Sequence, residues 1–220
     1  MYTFAPTSHE RRSAQTVLWQ ITETLVRLVA PILSFTADEV WEHLPAVAGR
    51  EASVHLALFL KPEEIFSEDP APLLEEWKDL LNIRDLALRL IEFARQEKHI
   101  GKSLEADVHI YAMGDWLAFL KQHIVGLKEL LNVSSVFLPE GTPRREITLP
   151  RKEGQWLMTS TISSDLWLAL CAASGHKCAR CWNFMPEVSA YGIWQNVCNR
   201  CQSALKEMGI DPPQPEEPAK

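Results

Sequence analysis

The stretch Lys177-Cys178-Ala179-Arg180-Cys181-Trp182, answered by Cys198-Asn199-Arg200-Cys201, decides how the last part of this chain can fold. Each Cys-x-x-Cys turn lets two sulfurs converge on one ion, and sixteen residues separate the two pairs, a spacing typical of four-cysteine metal modules. Four thiolates at ~2.3 Å complete a closed tetrahedron with no position left for water. The ion expected is therefore one structural Zn2+ held by Cys178, Cys181, Cys198 and Cys201. A segment of about 30 residues buries too little apolar area to fold alone, so zinc binding, ~10–16 kcal/mol in small fingers, is in effect its folding free energy. A redox Cys-x-x-Cys is the rival reading, and it explains one pair better than two. His176 stands as a spare ligand that four cysteines make unnecessary. Cys171, at the end of an expected strand, reads as a small buried apolar residue.

Working outward, the 220 residues suffice for one large or two small domains, and 46% hydrophobic with 23% charged residues are globular values. No run approaches the ~18 apolar residues of a membrane helix, and the amino terminus carries no export signal. We expect a cytoplasmic protein without a membrane partner, in a compartment where thiols stay reduced. The net charge of −7 makes general attraction to a polyanion unfavourable, so any nucleic-acid contact has to be local. Acidic residues crowd the stretch from Asp38 to Asp79. Basic ones prevail from Cys171 to Lys206.

The first hundred residues read as helices. Thr7-Ser8-His9-Glu10 resembles a capping box, and Leu18, Ile21, Leu25, Leu28 and Ile32 recur at steps of three and four, which predicts a buried face interrupted at Pro31. A second helix is expected from Thr36 as N-cap, with Glu39 reaching back and Phe35 packed on Val40. Val54 to Leu60 reads as a short extended piece. Asp69-Pro70 opens a long helix with Leu73, Trp77, Leu80, Ala87, Ile91 and Ala94 on one face, closed by Gly101. Trp19, Trp41 and Trp77 fall on apolar faces and are expected in the core. Beyond Gly101 the period changes: Val108 to Tyr111, Val133 to Leu138, Glu146 to Leu149, Trp156 to Ile162 and Leu166 to Cys171 read as strands, and Trp116 to Leu131 as a helix. The expected fold is mainly α, an antiparallel helical bundle over 1–101. A small α+β subdomain (102–170), the zinc ribbon (171–206) and a disordered proline-rich acidic tail (207–220) follow.

His99-Ile100-Gly101-Lys102-Ser103 imitates a phosphate-binding loop, but Gln96 stands where the first glycine belongs, and the stretch ends a helix instead of joining a strand to one. No nucleophile elbow or Ser/His/Asp arrangement accompanies it, so no catalytic residues are assigned.

Arg11-Arg12-Ser13-Ala14-Gln15-Thr16-Val17-Leu18, Ala30-Pro31-Ile32-Leu33-Ser34-Phe35-Thr36-Ala37-Asp38-Glu39-Val40-Trp41, Lys102-Ser103-Leu104-Glu105-Ala106 and Lys177-Cys178-Ala179-Arg180-Cys181-Trp182 together resemble the carboxy-terminal part of the bacterial isoleucyl-tRNA synthetase family. The likeness runs from Tyr2 to about Leu205. The segment around Phe35 resembles the anticodon-binding helical domain of several class I synthetases, and the terminal zinc segment narrows the choice to the isoleucine enzymes. The resemblance implies a parent ligase that joins isoleucine to tRNA-Ile with ATP, and a chain that is a piece of it. The ATP site would lie in an amino-terminal catalytic domain whose His-Ile-Gly-His and Lys-Met-Ser-Lys signatures are not in this sequence. Catalytic and editing domains are then partners, as is tRNA-Ile.

An anticodon loop offers unstacked bases to aromatic and guanidinium planes and its phosphates to cations. Candidates on the helical part are Arg11, Arg12, Arg84, Arg95, Lys98 and Lys102. Those on the ribbon are Lys177, Arg180, Trp182 and Arg200, with Arg180 and Trp182 foremost. Arg95 and Lys98 have a plainer role as cations at a helix carboxyl end. Two alternatives stay open: a stand-alone nucleic-acid-binding zinc-ribbon protein, and a relative of the DNA-repair glycosylases that end in similar ribbons.

Overall fold

The computed structural model describes residues 2–65, 69–139, 157–188 and 194–212. The chain divides into two compact units, Met1–Pro72 with Ala204–Gly209, and Leu73–Ser203 with Ile210–Lys220. No helix among the described residues is long and apolar enough to cross a membrane.

In the first unit, helix α1 (His9–Val29) starts on Ser8, whose side chain accepts from the Arg11 amide, and helix α2 is Ser34–His43. Val26 of α1 and Ala30 at its C-cap meet Ala37 and Trp41 of α2 and Val54 of a short 3-10 turn, Val54–Leu56, in a small core. A charged layer lies over it. Glu23, only 8% exposed, accepts from Arg27 at 2.8 Å and also pairs with Arg50. Both guanidiniums lie over the Trp41 ring, 5.2 and 4.9 Å from its centroid. Trp41 Nε1 donates to the Glu51 carbonyl at 2.9 Å, so this buried indole has its polar end satisfied.

Several expectations for this part are corrected. The face Leu18, Ile21, Leu25, Leu28 and Ile32 is about half exposed or more, because α1 turns Val26 and Ala30 to α2 instead. Val17, Ile21, Leu25 and Leu28 line an open apolar groove with Ile65 of the four-residue helix α3 (Pro62–Ile65). Helix α2 begins two residues before Thr36, with Leu33 at its N-cap and no side-chain cap, and Phe35 is 93% exposed, so the staple onto Val40 does not form. The extended piece at Val54 to Leu60 is replaced at its start by the 3-10 turn, anchored by the Asp38 carboxylate, which accepts from Ser53 Oγ and the Val54 amide.

The second unit holds the long helix α4 (Ala71–Gln96) and a four-stranded mixed sheet in the order β2-β1-β4-β3. Its strands are β1 (Ala106–Ala112), β2 (Ser135–Phe137), β3 (Leu157–Ser163) and β4 (Leu166–Ala172). Helix α5 (Gly114–Leu131) links β1 to its parallel neighbour β2, whereas β4 runs antiparallel to both β1 and β3. The alternation read at Val108 to Tyr111 places Val108 and Ile110 in one core with Leu120, Leu127 and Leu131 of α5 and Leu166, Leu168 and Leu170 of β4. Helix α4 belongs to that core. Leu80, Ile83, Ala87, Leu90, Ile91 and Ala94 are buried in it, so the rear half of the expected face packs as read, while Leu73 and Trp77 at its front are 55% and 42% exposed. Trp77 is thus not a core residue.

Gly101 does not terminate α4. Lys98 does, in the left-handed conformation (φ 59), with the His99 amide closing back on the Ala94 carbonyl at 2.9 Å. The strand expected at Glu146 to Leu149 lies outside the described residues, as do residues 213–220 of the proline-rich tail.

Candidate metal centre and nucleic-acid face

The ribbon begins where β4 ends. Gly175 precedes a two-stranded hairpin, β5 (His176–Lys177) with β6 (Phe184–Met185), and its φ of +87 is one that side chains avoid. A Cβ there would stand 2.3 Å from the Met185 carbonyl, so only glycine allows this close approach. The hairpin carries the first Cys-x-x-Cys pair at its turn. Trp182 donates its amide to the Cys178 carbonyl at 2.9 Å, and the Cys178 amide to the Asn183 carbonyl at 2.9 Å, which folds 178–183 into a tight knuckle. The second pair sits at the start of helix α6 (Asn199–Glu207). The Ala179 amide donates to the Asn196 carbonyl at 2.9 Å and draws the two knuckles together.

The sulfurs of Cys178, Cys181, Cys198 and Cys201 all lie within 4.8 Å of one another, and no disulfide joins any of them. A tetrahedron with ~2.3 Å bonds has sulfurs about 3.8 Å apart, and Cys181 Sγ to Cys198 Sγ is 3.7 Å. Three of the four residues are buried. The donor set around them suits thiolates: the Cys198 amide points at Cys178 Sγ (3.3 Å), Asn183 Nδ2 at Cys181 Sγ (3.4 Å) and Arg180 Nη1 at Cys201 Sγ (3.7 Å). The hydrogen bond between Cys181 and Cys198 lowers the pKa of the first and raises that of the second. The four cysteines fit a metal ion, and His176 is not part of the group.

Cys171 stands apart on β4, opposite Asp107 in the register, and its thiol is pushed up to about 11 by burial and then by the Asp107 charge. It is partly buried, not fully as its strand position suggested, and its Sγ donates to the Asp107 carbonyl at 3.8 Å.

The structure sorts the nucleic-acid candidates into groups. Lys102, Trp182 and Lys177 come together: the two ammonium groups lie 5.6 and 5.5 Å from the Trp182 ring. The indole is 55% exposed and its backbone is left-handed (φ 66), a conformation that costs a bulky residue ~1–2 kcal/mol. Arg180 and Arg200 are half-buried and reach sulfurs instead, Arg200 bonding to Cys181. Burial disfavours the Arg200 charge, but that hydrogen bond and the sulfur charges outweigh it and raise its pKa. Arg95 pairs with Glu92 at 3.3 Å, and Lys98 is exposed on the turn after it. Arg84 lies half-exposed further up α4. Arg11, which donates to the Phe4 carbonyl, and the exposed Arg12 belong to the other unit.

Two features escaped the sequence reading. Ser134, fully buried, donates to the Leu104 carbonyl and accepts from the Phe184 amide at 2.7 Å, tying the hairpin to the loop that carries Lys102. Asp107, 3% exposed, accepts from the Ser174 amide at 3.1 Å and so fixes the chain entering the ribbon. A lone serine after a helix and an acid in a strand leave no periodic trace.

The family model for the anticodon-binding domain of tRNA ligase matches residues 1–110. The chain belongs to this family. It is similar over nearly all its length to bacterial isoleucine–tRNA ligases: 36% identical over 96% of the chain to that of Symbiobacterium thermophilum, 37% over 94% to that of Moorella thermoacetica, and 39% over 91% to that of Staphylococcus epidermidis. The chain spans 20–22% of the length of these relatives. In this anticodon-binding-domain protein the similarity therefore continues past the family model, through the sheet and the cysteine cluster.

Proposed function

We propose that this chain is the tRNA-binding portion of an isoleucine–tRNA ligase, acting in the cytoplasm on the anticodon region of tRNA-Ile. Activation of isoleucine with ATP would be carried out by catalytic and editing domains outside the 220 residues. In this division of labour 1–101 carries the anticodon-binding helices, 102–170 is the small α+β subdomain, and 171–206 closes on one structural Zn2+. Zinc suits four thiolates and a closed tetrahedron, and the ion would supply rigidity and no chemistry.

The observation that carries the reading is Trp182 held half-exposed between Lys102 and Lys177. Strained backbone at an exposed aromatic is a pattern of binding sites. The indole offers a stacking plane for an unpaired base, and neither lysine has a carboxylate partner among the described residues. Lys98, Arg95, Arg84, Arg11 and Arg12 are the further candidates. Family membership and similarity to isoleucine–tRNA ligases favour RNA over a repair-enzyme reading.

Titration of tRNA-Ile and a non-cognate tRNA at several salt concentrations tests this. Tighter binding of tRNA-Ile is expected, and Lys102→Gln should weaken it and reduce the salt slope by about one. Equal affinity for the two tRNAs, or an unchanged slope, contradicts the proposal.

A further inference from the structure

The two knuckles share a residue that metal ligation does not need. In Cys178-Ala179-Arg180-Cys181 and in Cys198-Asn199-Arg200-Cys201 an arginine occupies the third position. Each reaches across to the other knuckle. Arg180 Nη1 points at Cys201 Sγ at 3.7 Å, and the Arg200 guanidinium bonds to Cys181. The crossing is reciprocal, so the last cysteine of either pair receives the arginine of its opposite number. Both arginines are half-buried, whereas Lys177, one residue before the first knuckle, is exposed.

Charge gives the pattern a purpose. Four thiolates around a divalent cation leave two negative charges in excess in a largely buried site. Two guanidiniums match them. Each hydrogen bond from a cation to sulfur also withdraws electron density from that thiolate and orients it, as partners behind metal ligands do. Guanidinium suits the task because it keeps its charge when desolvated, which an ammonium does less well.

We propose that Arg180 and Arg200 are positioning residues of the metal centre, a crossed pair that neutralises the tetrathiolate and locks the two knuckles together, and that they are not contacts to RNA. This rests on the metal reading above. It divides the basic residues of the ribbon into two sets: arginines turned inward to sulfur, and lysines flanking Trp182 turned to the ligand.

The test uses the whole chain, purified with its metal, as wild type and as Arg180→Gln, Arg200→Gln, Arg180→Lys, Arg200→Lys and Lys177→Gln. Zinc affinity is measured by competition with a chromogenic chelator, the cobalt-substituted protein is examined by absorption, and tRNA-Ile binding is measured against salt. Each Arg→Gln change should weaken zinc binding on the order of tenfold and move the sulfur-to-cobalt charge-transfer band to longer wavelength, because the thiolate regains electron density. The slope of tRNA affinity with salt should stay unchanged. The Arg→Lys variants should fall between wild type and glutamine, and they carry the test if a glutamine variant does not fold. Lys177→Gln should do the reverse, leaving zinc affinity alone and lowering the slope by about one. Zinc affinity within twofold of wild type in the arginine variants overturns the inference, as does a slope lowered by about one in them. A wild-type chain that takes up neither zinc nor cobalt removes the metal reading itself; metal bound equally by wild type and variants removes only the crossed pair.

Discussion

Asp107 shows how one side chain can tune stability with pH. Burial is the largest influence on its carboxyl and raises the pKa above the ordinary 3.8, against hydrogen bonds from the Ser174 amide and the Ser135 and Ser174 side chains and the charge of Lys128. The folded state therefore holds this proton more tightly than the unfolded chain does. The stabilisation that follows is complete below the ordinary value and is lost as pH rises through the raised one. Asp107→Asn is neutral throughout and still offers an oxygen to the Ser174 amide. It should be at least as stable as wild type at pH 7 and lack that decline, as read by urea denaturation from pH 3 to 7. Asp107→Ala should cost ~1–3 kcal/mol, because it leaves the Ser174 amide without its acceptor. A loss in the asparagine variant at pH 7 as large as that of the alanine variant would mean that the charge itself stabilises the entry to the ribbon.

Single residues also mark what a sequence discloses. The four ligand positions follow from spacing alone, since two Cys-x-x-Cys turns leave few other chemistries. The inward direction of Arg180 does not, because a side chain beside a cysteine can turn to sulfur or to solvent with equal local propensity. Trp182 was legible as a residue near a knuckle, but its two lysines come from separate segments and meet only through the hairpin that Ser134 anchors.

At the scale of elements, period was a good guide to type and a poor one to direction. Helices α4 and α5 and strands β1 and β4 lie where apolar spacing put them. On α1 the apolar stripe and the buried side differ, because Glu23 is drawn inward by Arg27 and Arg50 and brings Val26 and Ala30 with it. A helix with apolar residues on two sides gives no internal reason to choose between them. The consequence is measurable. Leu25→Ser, on the exposed stripe, should change the stability of this chain by less than about 0.5 kcal/mol, whereas Trp41→Ala should cost ~3–5 kcal/mol. Denaturant midpoints compare the two, and a large loss at Leu25 would place the stripe inside a core. Helix ends were least legible: Lys98 closes α4 in a conformation that glycine adopts more readily, three residues before the glycine that the sequence offers.

For the whole molecule, the cysteine cluster, α4 and the sheet fall in one compact unit, and the cores of the two units share no residue. The sheet has its own apolar core, so it should survive loss of metal, while the ribbon, with its hairpin and one short helix, should not. On the proposed reading, a metal-closed ribbon presents the surface on which tRNA is held. The most direct measurement removes the metal stepwise with a chelator and follows, on the same samples, zinc content by elemental analysis and affinity for tRNA-Ile. One zinc per chain is expected at the start, with a fall in affinity in step with zinc loss that is reversed when zinc is returned. Full tRNA-Ile affinity in metal-free protein, or natively purified protein with no stoichiometric metal, would contradict it.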